Sequence, residues 1–317
     1  MDWSPACEHG NLLTAFEHLC QPEYSELCLE FAVAFGPYCS HGLPGEEGWS
    51  RLCHALDLAP PTPTLRRAQT FFWAALVAHE CGYARKSSDL GREGLTVALA
   101  LGDRTMEAAA VFILAINEEL QERWDTGSEL LQRALAMWKE LDNAYMQGWI
   151  LMILGGLAYA QGDLSLARAL EEEAEQLYKE TAGAVMQAGT QWYLGFIALA
   201  DGRTTDAASH YERSLRLWLT TEHRSHWFKP LVHLADVAAK CGCCVHAARF
   251  LGAADRMLRD TGTRLFPFDL PAHERAELTS RAALGDEAYE AAYAAGQDLT
   301  PDDWLAEAQT IVAAAGS

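Results

Sequence analysis

The chain has 317 residues, of which 50% are apolar, 10% aromatic and 21% charged, a composition that fills a folded core and excludes a disordered chain. Its 24 Lys and Arg against 44 Asp and Glu give a net charge of −20, which repels a phosphate backbone, so direct binding of nucleic acid is not expected. Nine cysteines in a chain of this length are too few for a disulfide scaffold, and the sequence therefore predicts a protein of the reducing cytoplasm.

The N-terminal segment, residues 1–62, is predicted to form a degenerate helical repeat and a cap. Its opening residues, Met1 to Pro5, lack the basic and apolar regions of a signal peptide. Gly42 marks a helix-ending turn that extends the series described next by one unit towards the N-terminus.

Residues 63–265 contain a repeat with a period of 40 residues. A repeat of this length is typical of stacked structural units, so it is the strongest indication of the architecture. A pair of Leu or small residues recurs at Ala74-Ala75, Leu114-Ala115, Leu154-Gly155, Leu194-Gly195 and Leu234-Ala235. Two columns of small residues keep the same phase at Ser87, Gly127, Ala167, Ala207 and Ala247, and at Gly94, Ala134, Ala174, Ser214 and Ala254. Small side chains belong where two helix backbones approach closely, so each unit is predicted to hold two packed helices.

Glycines divide each unit into its two helices, since glycine readily takes the left-handed conformation that ends a helix. The turn column reads Gly82, Glu122, Gly162, Gly202 and Gly242, with Glu122 the exception. No proline occurs between Thr64 and Lys229, and no alternating strand pattern is found, which predicts an all-α protein. Pro230 conflicts with the repeat, so the last unit's first helix is predicted to start late or bend.

Two uncharged stretches, Ala144 to Gly162 and Thr181 to Ala200, are long enough to resemble membrane spans. Because both fall inside the repeat and contain Gln and Gly, we interpret them as buried helices. No contact with a membrane is expected.

The order of Leu, small residues and Gly turn resembles the tetratricopeptide repeat, with longer links between units than the usual 34-residue period. This resemblance implies a right-handed superhelix of about six helical hairpins around a concave groove. Residues 266–317 are expected to form a C-terminal helical cap, with a last helix from about Asp302 to Ala313.

Segments near both ends resemble a particular family. The family is that of large ATP-binding bacterial transcription regulators of the LuxR, maltose-activator-like (STAND ATPase) and SARP-like types. The segments that resemble its helical region are Glu8 to Phe16, Phe250 to Leu258 and Arg281 to Tyr289. In that family the helical domain is the sensor arm, which receives an inducer or a protein partner and controls ATPase and DNA-binding modules. No phosphate-binding Gly-x-x-x-x-Gly-Lys-Ser/Thr loop and no basic recognition helix accompany it here, so the resemblance implies the sensor part alone.

The tetratricopeptide resemblance also implies which residues line the groove, because the first helix of each unit faces it. The positions concerned supply the candidate binding residues Phe72, His79, Phe112, Glu119, Trp149, Met152, Tyr159, Trp192, Phe196, Lys229 and Asp236. Their apolar character suits a small apolar or aromatic molecule or an amphipathic segment. One hypothesis is a pocket near Trp149, Met152 and Trp192 with Lys229 and Asp236 as polar partners; the alternative is that these side chains are core.

Other reactive residues are interpreted structurally. Residues of the types that bind metals cluster at Cys241, Cys243, Cys244 and His246. A closed tetrahedral zinc site needs a matching second group of ligands, which the sequence does not show, so no metal and no cofactor are predicted. The run Glu171-Glu172-Glu173 is predicted to be a solvated helix face. No residues are predicted to be catalytic, and the chain is not expected to be an enzyme.

Two functional hypotheses remain. The first is a non-enzymatic sensor that binds an effector in its groove, with the ATPase and DNA-binding modules of a parent regulator as partners if the chain is a fragment. The second is a protein-interaction scaffold that docks a basic partner on its acidic surface.

Overall fold

A computed structural model describes residues 9–41, 45–119, 121, 123–181, 183–221, 224–261, 263–265 and 269–316. Those residues form α-helices and two short 3₁₀ turns, with no strand among them, so the predicted all-α class is confirmed. The chain divides into two compact units, Met1–Met146 and Gln147–Ser317. The division into segments 1–62, 63–265 and 266–317 stays a prediction.

The first unit is built from antiparallel helical hairpins. Its helices are α1 (His9–Leu19), α2 (Ser25–His41), α3 (Gly45–Leu58), α4 (Leu65–Glu80), α5 (Ala84–Leu101), α6 (Arg104–Glu119) and α7 (Trp124–Glu140). Within it α2 packs on α3, α4 on α5 and α6 on α7. The N-terminal core centres on Phe16, whose ring lies 5.9 Å from that of Phe35, together with Leu29, Leu52 and Phe71.

The second unit continues the hairpins and ends in three more helices. Its helices are most of α8 (Ala144–Ala160), then α9 (Leu164–Thr181), α10 (Ala184–Ala200), α11 (Thr204–Leu219), α12 (Phe228–Lys240), α13 (Cys244–Thr261), α14 (Leu270–Leu284), α15 (Asp286–Gln297) and α16 (Pro301–Ala315). Here α10 packs on α11 and α12 on α13. The two uncharged stretches are α8 and α10, and among the described helices none is both long and apolar enough to cross a membrane.

The hairpin turns repeat one hydrogen-bond pattern with the 40-residue period. The amide N–H that follows each turn donates to a carbonyl five residues earlier, which is the Schellman bond that closes a helix end. It joins Tyr83 to Ala78, Arg123 to Glu118, Asp163 to Ala158, Arg203 to Ala198 and Cys243 to Ala238, at 2.8 to 2.9 Å. Gly82, Gly162, Gly202 and Gly242 have φ between +74° and +84°, which confirms the predicted turns. Gly42 and Glu122 lie outside the described residues.

The small-residue columns are buried, and aromatic rings occupy the space that small neighbours leave. The Tyr178 ring lies over Gly148 and the Tyr211 ring over Gly195, where a Cβ atom would overlap each ring. Trp138, Tyr178 and Trp218, 40 residues apart, are all buried. In these hairpins, small residues therefore let the two helix backbones approach closely, and aromatic side chains fill the space beside them.

The conflict at Pro230 is resolved by a late helix start. A 3₁₀ turn (Arg224–His226) precedes α12, which begins only at Phe228 and has 13 residues where α10 has 17. Pro230 therefore lies in the first turn of α12, where backbone N–H groups have no partner within the helix.

The C-terminal helices lie on the last hairpins of the second unit. α14 contacts α12 and α13, α15 contacts α13, and α16 contacts α11 and α12. The predicted last helix is α16, and a capping box starts it: Thr300 Oγ1 accepts from the N–H of Asp303, while the Asp303 carboxylate accepts from the N–H of Thr300.

Candidate functional site

Helices α8 and α10 of the second unit bring three of the predicted groove residues into one aromatic cluster. Trp192 and Phe196 of α10 have ring centroids 4.8 Å apart at nearly a right angle. The Tyr159 ring of α8 lies 5.8 Å from that of Phe196. We call Tyr159, Trp192 and Phe196 the aromatic face. Trp192 is 2% exposed, whereas Tyr159 and Phe196 are half-buried, so the face has a buried centre and an accessible edge.

Lys229 and Asp236 of α12, the predicted polar partners, lie in different surroundings. The Lys229 ammonium stands 4.9 Å from the centroid of the Trp192 ring, in a cation–π arrangement. The Asp236 carboxylate is buried and accepts two hydrogen bonds from Arg275 of α14, at 2.8 and 3.3 Å. Lys240 Nζ lies 3.5 Å from the same carboxylate. Asp236 therefore holds α14 on α12, and its hydrogen bonds, together with its negative charge, raise the pKa of Arg275.

A buried His–Asp pair lies next to the aromatic face. His233 Nε2 is 2.9 Å from Asp269 Oδ1, and both side chains are at most 1% exposed. The His233 ring lies 4.3 Å from that of Phe196 and stacks on that of Tyr211 at 5.2 Å. The second oxygen of Asp269 and the Tyr211 hydroxyl are buried without a hydrogen-bond partner. Burial raises the pKa of Tyr211 well above its usual value, so its hydroxyl stays neutral.

Trp149 and Met152 complete the predicted pocket region on α8. Met152 is buried, and its terminal methyl stands where a Cβ on Gly189 of α10 would overlap it. Trp149 is half-buried. Met152 thus fits the interpretation as core, while Trp149 keeps accessible surface.

In the first unit the predicted residues lie in tighter surroundings. Phe112 of α6 is fully buried. Phe72 of α4 lines a void of only about 10 Å³ together with Gly91, Gly94 and Ile113, which is the space of roughly one water molecule. The Glu119 side chain lies outside the described residues.

His79 belongs to a hydrogen-bonded chain in the first unit. Its Nδ1 is 3.2 Å from Asn117 Oδ1, Asn117 donates to Ser87 Oγ at 2.7 Å, and Ser87 donates to the carbonyl of Ala75 at 2.6 Å. Burial lowers the pKa of His79, and the bond to Asn117 opposes this. Because Ser87 belongs to a small-residue column, the chain ties α4, α5 and α6 together and is structural.

The cysteine-rich turn shows no gathering of ligands. Cys241 and Cys243 are half-buried and Cys244 is buried, while His246 Nδ1 lies 3.0 Å from Glu307 Oε2 of α16. No group of three or more His, Cys, Asp or Glu side chains within the described part of the chain is arranged to hold a metal ion.

The interpretation of the Glu171–Glu173 run is wrong for its first residue. Glu172 and Glu173 are exposed, but Glu171 is 0% exposed, and neither of its carboxyl oxygens has a hydrogen-bond partner. It lies against Gly155 of α8, where a Cβ atom would meet Glu171 Oε1 at 2.6 Å. Burial raises its pKa well above the usual value, so the neutral acid is the stable form.

Sequence reasoning missed several of these residues. Glu171 and Tyr211 share a column of the repeat with Gly91, Leu131 and Leu251, all buried, and reading that column predicts burial of Glu171. His233 follows Trp73, Ile113, Ile153 and Tyr193 in its own column, which also predicts an apolar environment, whereas Asp269 and Arg275 carry no such signal because they lie beyond the periodic segment.

Comparisons with known proteins agree with this fold. Residues 105–180 match the tetratricopeptide repeat family, and no curated protein matches the chain. The crystal structure of a Rap protein complexed with Competence and Sporulation Factor is similar over 92% of this chain and 88% of that chain, with 18% identity and a TM-score of 0.59. BtubC from P. vanneervenii is similar over 75% of this chain and 94% of its own, with 18% identity and a TM-score of 0.52.

A third solved structure is a STAND protein with a tetratricopeptide repeat sensor, PH0952 from Pyrococcus horikoshii. It covers 96% of this chain and 47% of that chain, with 13% identity and a TM-score of 0.57. At these identities the structures show the fold alone.

The helical hairpins and the match over residues 105–180 together indicate a tetratricopeptide-like helical-repeat fold, which is generally a non-catalytic scaffold for binding ligands or proteins.

Proposed function

We propose that this chain is the sensor domain of a bacterial transcription regulator of the LuxR or maltose-activator-like type. Its effector, a small apolar or aromatic molecule or a partner segment, binds on the aromatic face of the second unit. The observation that carries the proposal is the contact of the half-buried Tyr159 and Phe196 rings around the buried Trp192, whose ring lies beside the Lys229 ammonium. Half-buried rings offer stacking area, and a cation on the same surface orients a polar substituent.

The contacts of α14 suggest how binding is transmitted. Asp269 and Arg275, at the start and in the middle of the α14 segment, bind His233 and Asp236 on α12, and His233 touches the aromatic face through Phe196. An effector that shifts Phe196 or His233 changes the contacts that hold α14. The effector then binds one arrangement of α14 on α12 more tightly than the other, and this difference in affinity is the signal. No covalent step is needed.

The sensor role draws support from the structural similarity to a STAND protein that is described as having a tetratricopeptide repeat sensor. Binding of a partner molecule is supported by the Rap protein, which was crystallised in complex with Competence and Sporulation Factor. ATPase and DNA-binding modules of a parent regulator are the proposed recipients of the signal.

The test uses native mass spectrometry of the chain purified from bacterial cytosol, followed by release of any bound molecule. We expect a co-purifying compound whose occupancy falls at least tenfold in Phe196→Ala, because the accessible edge of the aromatic face is lost. Trp124→Ala, which removes an aromatic ring 42% exposed on α7 of the first unit, is the matched control and should retain the compound. Equal occupancy in both variants would contradict the proposal.

The scaffold hypothesis keeps one observation in its favour, the net charge of −20. A surface of that charge attracts a basic partner over long range at low ionic strength. The salt experiment described below separates it from binding on the aromatic face.

A further inference from the structure

A pair of thiols lies at the N-terminal end of the first unit. Cys20 follows the last residue of α1, and Cys28 lies in α2. Their sulfur atoms are 4.0 Å apart, within a weak hydrogen bond. The two sulfur atoms of a disulfide are about 2 Å apart, so the Cys20 and Cys28 sulfurs must approach each other by about 2 Å to form one.

The two thiols differ in access. Cys20 is half-buried and lines an open cleft of about 380 Å³, whereas Cys28 is 0% exposed behind it. Glu17, Glu47, Arg51 and His54 also line the cleft. A disulfide reagent from solution therefore reacts with the accessible Cys20 sulfur first. The Cys28 sulfur is then close enough to attack Cys20 and release the group attached to it.

The surroundings of Cys20 act on its pKa in both directions. Burial, together with the negative charge of Glu17, raises the pKa of Cys20, while the hydrogen bond with Cys28 and the positive charge of Arg51 oppose the rise. Arg51 is itself held by Glu47 at 3.0 Å and by Glu17 at 3.5 Å. Burial raises the pKa of Cys28 to about 12, and part of that rise comes from Cys20; a Cys20 sulfur held in a covalent bond no longer contributes its charge.

We propose that Cys20 and Cys28 form a reversible dithiol–disulfide site, which reacts with a low-molecular-weight disulfide of the glutathione type bound at the cleft. Redox-sensing disulfides are the kind that a reducing compartment allows.

The exchange proceeds in two balanced steps. The Cys20 thiolate attacks one sulfur of oxidised glutathione, forming a mixed disulfide and releasing one glutathione thiolate. The Cys28 thiol then loses its proton to solvent and attacks the Cys20 sulfur, which forms the Cys20–Cys28 bond and releases the second glutathione. The protein loses two electrons and two protons, and one oxidised glutathione becomes two reduced molecules.

The product fixes α1 to α2. α1 rests on the N-terminal core chiefly through Phe16, whose ring contacts those of Phe31 and Phe35. Cys20 and Cys28 are eight residues apart, so the bond closes a short loop that holds the end of α1 against α2. We expect amide exchange in residues 9–19 to slow on oxidation.

The experiment equilibrates the full reduced chain with oxidised glutathione, blocks the remaining thiols and cleaves after glutamates without reduction. Cys20 is then released in residues 18–23 and Cys28 in residues 27–30. Mass spectrometry should find these two peptides joined, and reduction should separate them. Cys53→Ser, which changes a half-buried thiol of α3, is the matched control and should leave the cross-link in place.

Two variants test the order of attack. Cys28→Ala should accumulate glutathione on residues 18–23, while Cys20→Ser should leave residues 27–30 without glutathione. Helical circular dichroism establishes that each variant folds. Recovery of both wild-type peptides unlinked, or joined to other cysteines, would overturn the proposal.

Discussion

Glu171 shows how one side chain can oppose the packing around it. Its column of the repeat holds Leu131 and Leu251 at the equivalent positions, and both are buried. A carboxyl group without a hydrogen-bond partner takes the place of an aliphatic side chain. Burying such a group costs about 1–3 kcal/mol, so Glu171 lowers the stability of its own hairpin.

We therefore expect Glu171→Leu to raise the free energy of unfolding by about 1–3 kcal/mol, measured by urea denaturation of the full chain. The reverse change at the equivalent column position, Leu131→Glu, should lower it, because it buries a new acid. A Glu171→Leu variant less stable than the wild type would show that the carboxyl has a stabilising partner.

Glu171 also predicts a pH dependence. Its pKa in the folded chain is raised from 4.5, so the folded state binds its proton more tightly than the unfolded state does. The contribution to stability is fully present below about pH 4.5 and is lost as pH rises through the raised pKa. Relative to Glu171→Gln, which does not titrate, the wild type should lose stability from pH 5 to pH 8. Parallel stability curves for the two proteins would contradict this.

At the scale of the helix, two glycines set the distance between α13 and α15. A Cβ on Gly252 of α13 would overlap the carbonyl oxygen of Tyr293 in α15, and one on Gly296 of α15 would overlap the carbonyl of Arg249 in α13. The obstacle is backbone in both directions, so no side-chain rotation can relieve it. Each glycine is therefore required by the other helix.

Gly252→Ala should lower the free energy of unfolding by about 3 kcal/mol, the upper end for overpacking, and should increase amide exchange in residues 286–297. Gly10→Ala, where an added methyl meets nothing within 4 Å, is the control and should be neutral or slightly stabilising. Unchanged exchange in residues 286–297 of Gly252→Ala would mean that the two helices separate at little cost.

At the scale of the whole molecule, salt distinguishes the two functional hypotheses. Binding on the acidic surface should weaken at least tenfold between about 50 mM and about 500 mM salt, because the Debye length falls well below 10 Å. Binding on the aromatic face should change little over the same range. Isothermal titration with a basic partner or with the compound released from the chain measures both, and a salt-insensitive basic partner would contradict the scaffold hypothesis.

The periodic part of the fold could be predicted from sequence because each hairpin repeats the same local requirement. A helix-ending glycine, two small columns and an aromatic filler recur every 40 residues, and the structure places Gly82, Gly162, Gly202 and Gly242 in turns of one geometry. The candidate site was predictable only in part. Trp192, Phe196 and Tyr159 follow the repeat, but Asp269 and Arg275 reach α12 from a segment without periodicity, where no pattern links distant residues.

The reciprocal glycines of α13 and α15 also decide what covers one flank of the last hairpin. A stack of hairpins leaves its final helix with an uncovered flank that invites one more module or a second molecule. In this protein α15 lies on that flank at backbone distance, and the Tyr293 hydroxyl donates to Asp255 of α13 at 2.8 Å. α15 therefore occupies this flank of α13, and another hairpin or a second molecule could pack there only by displacing α15.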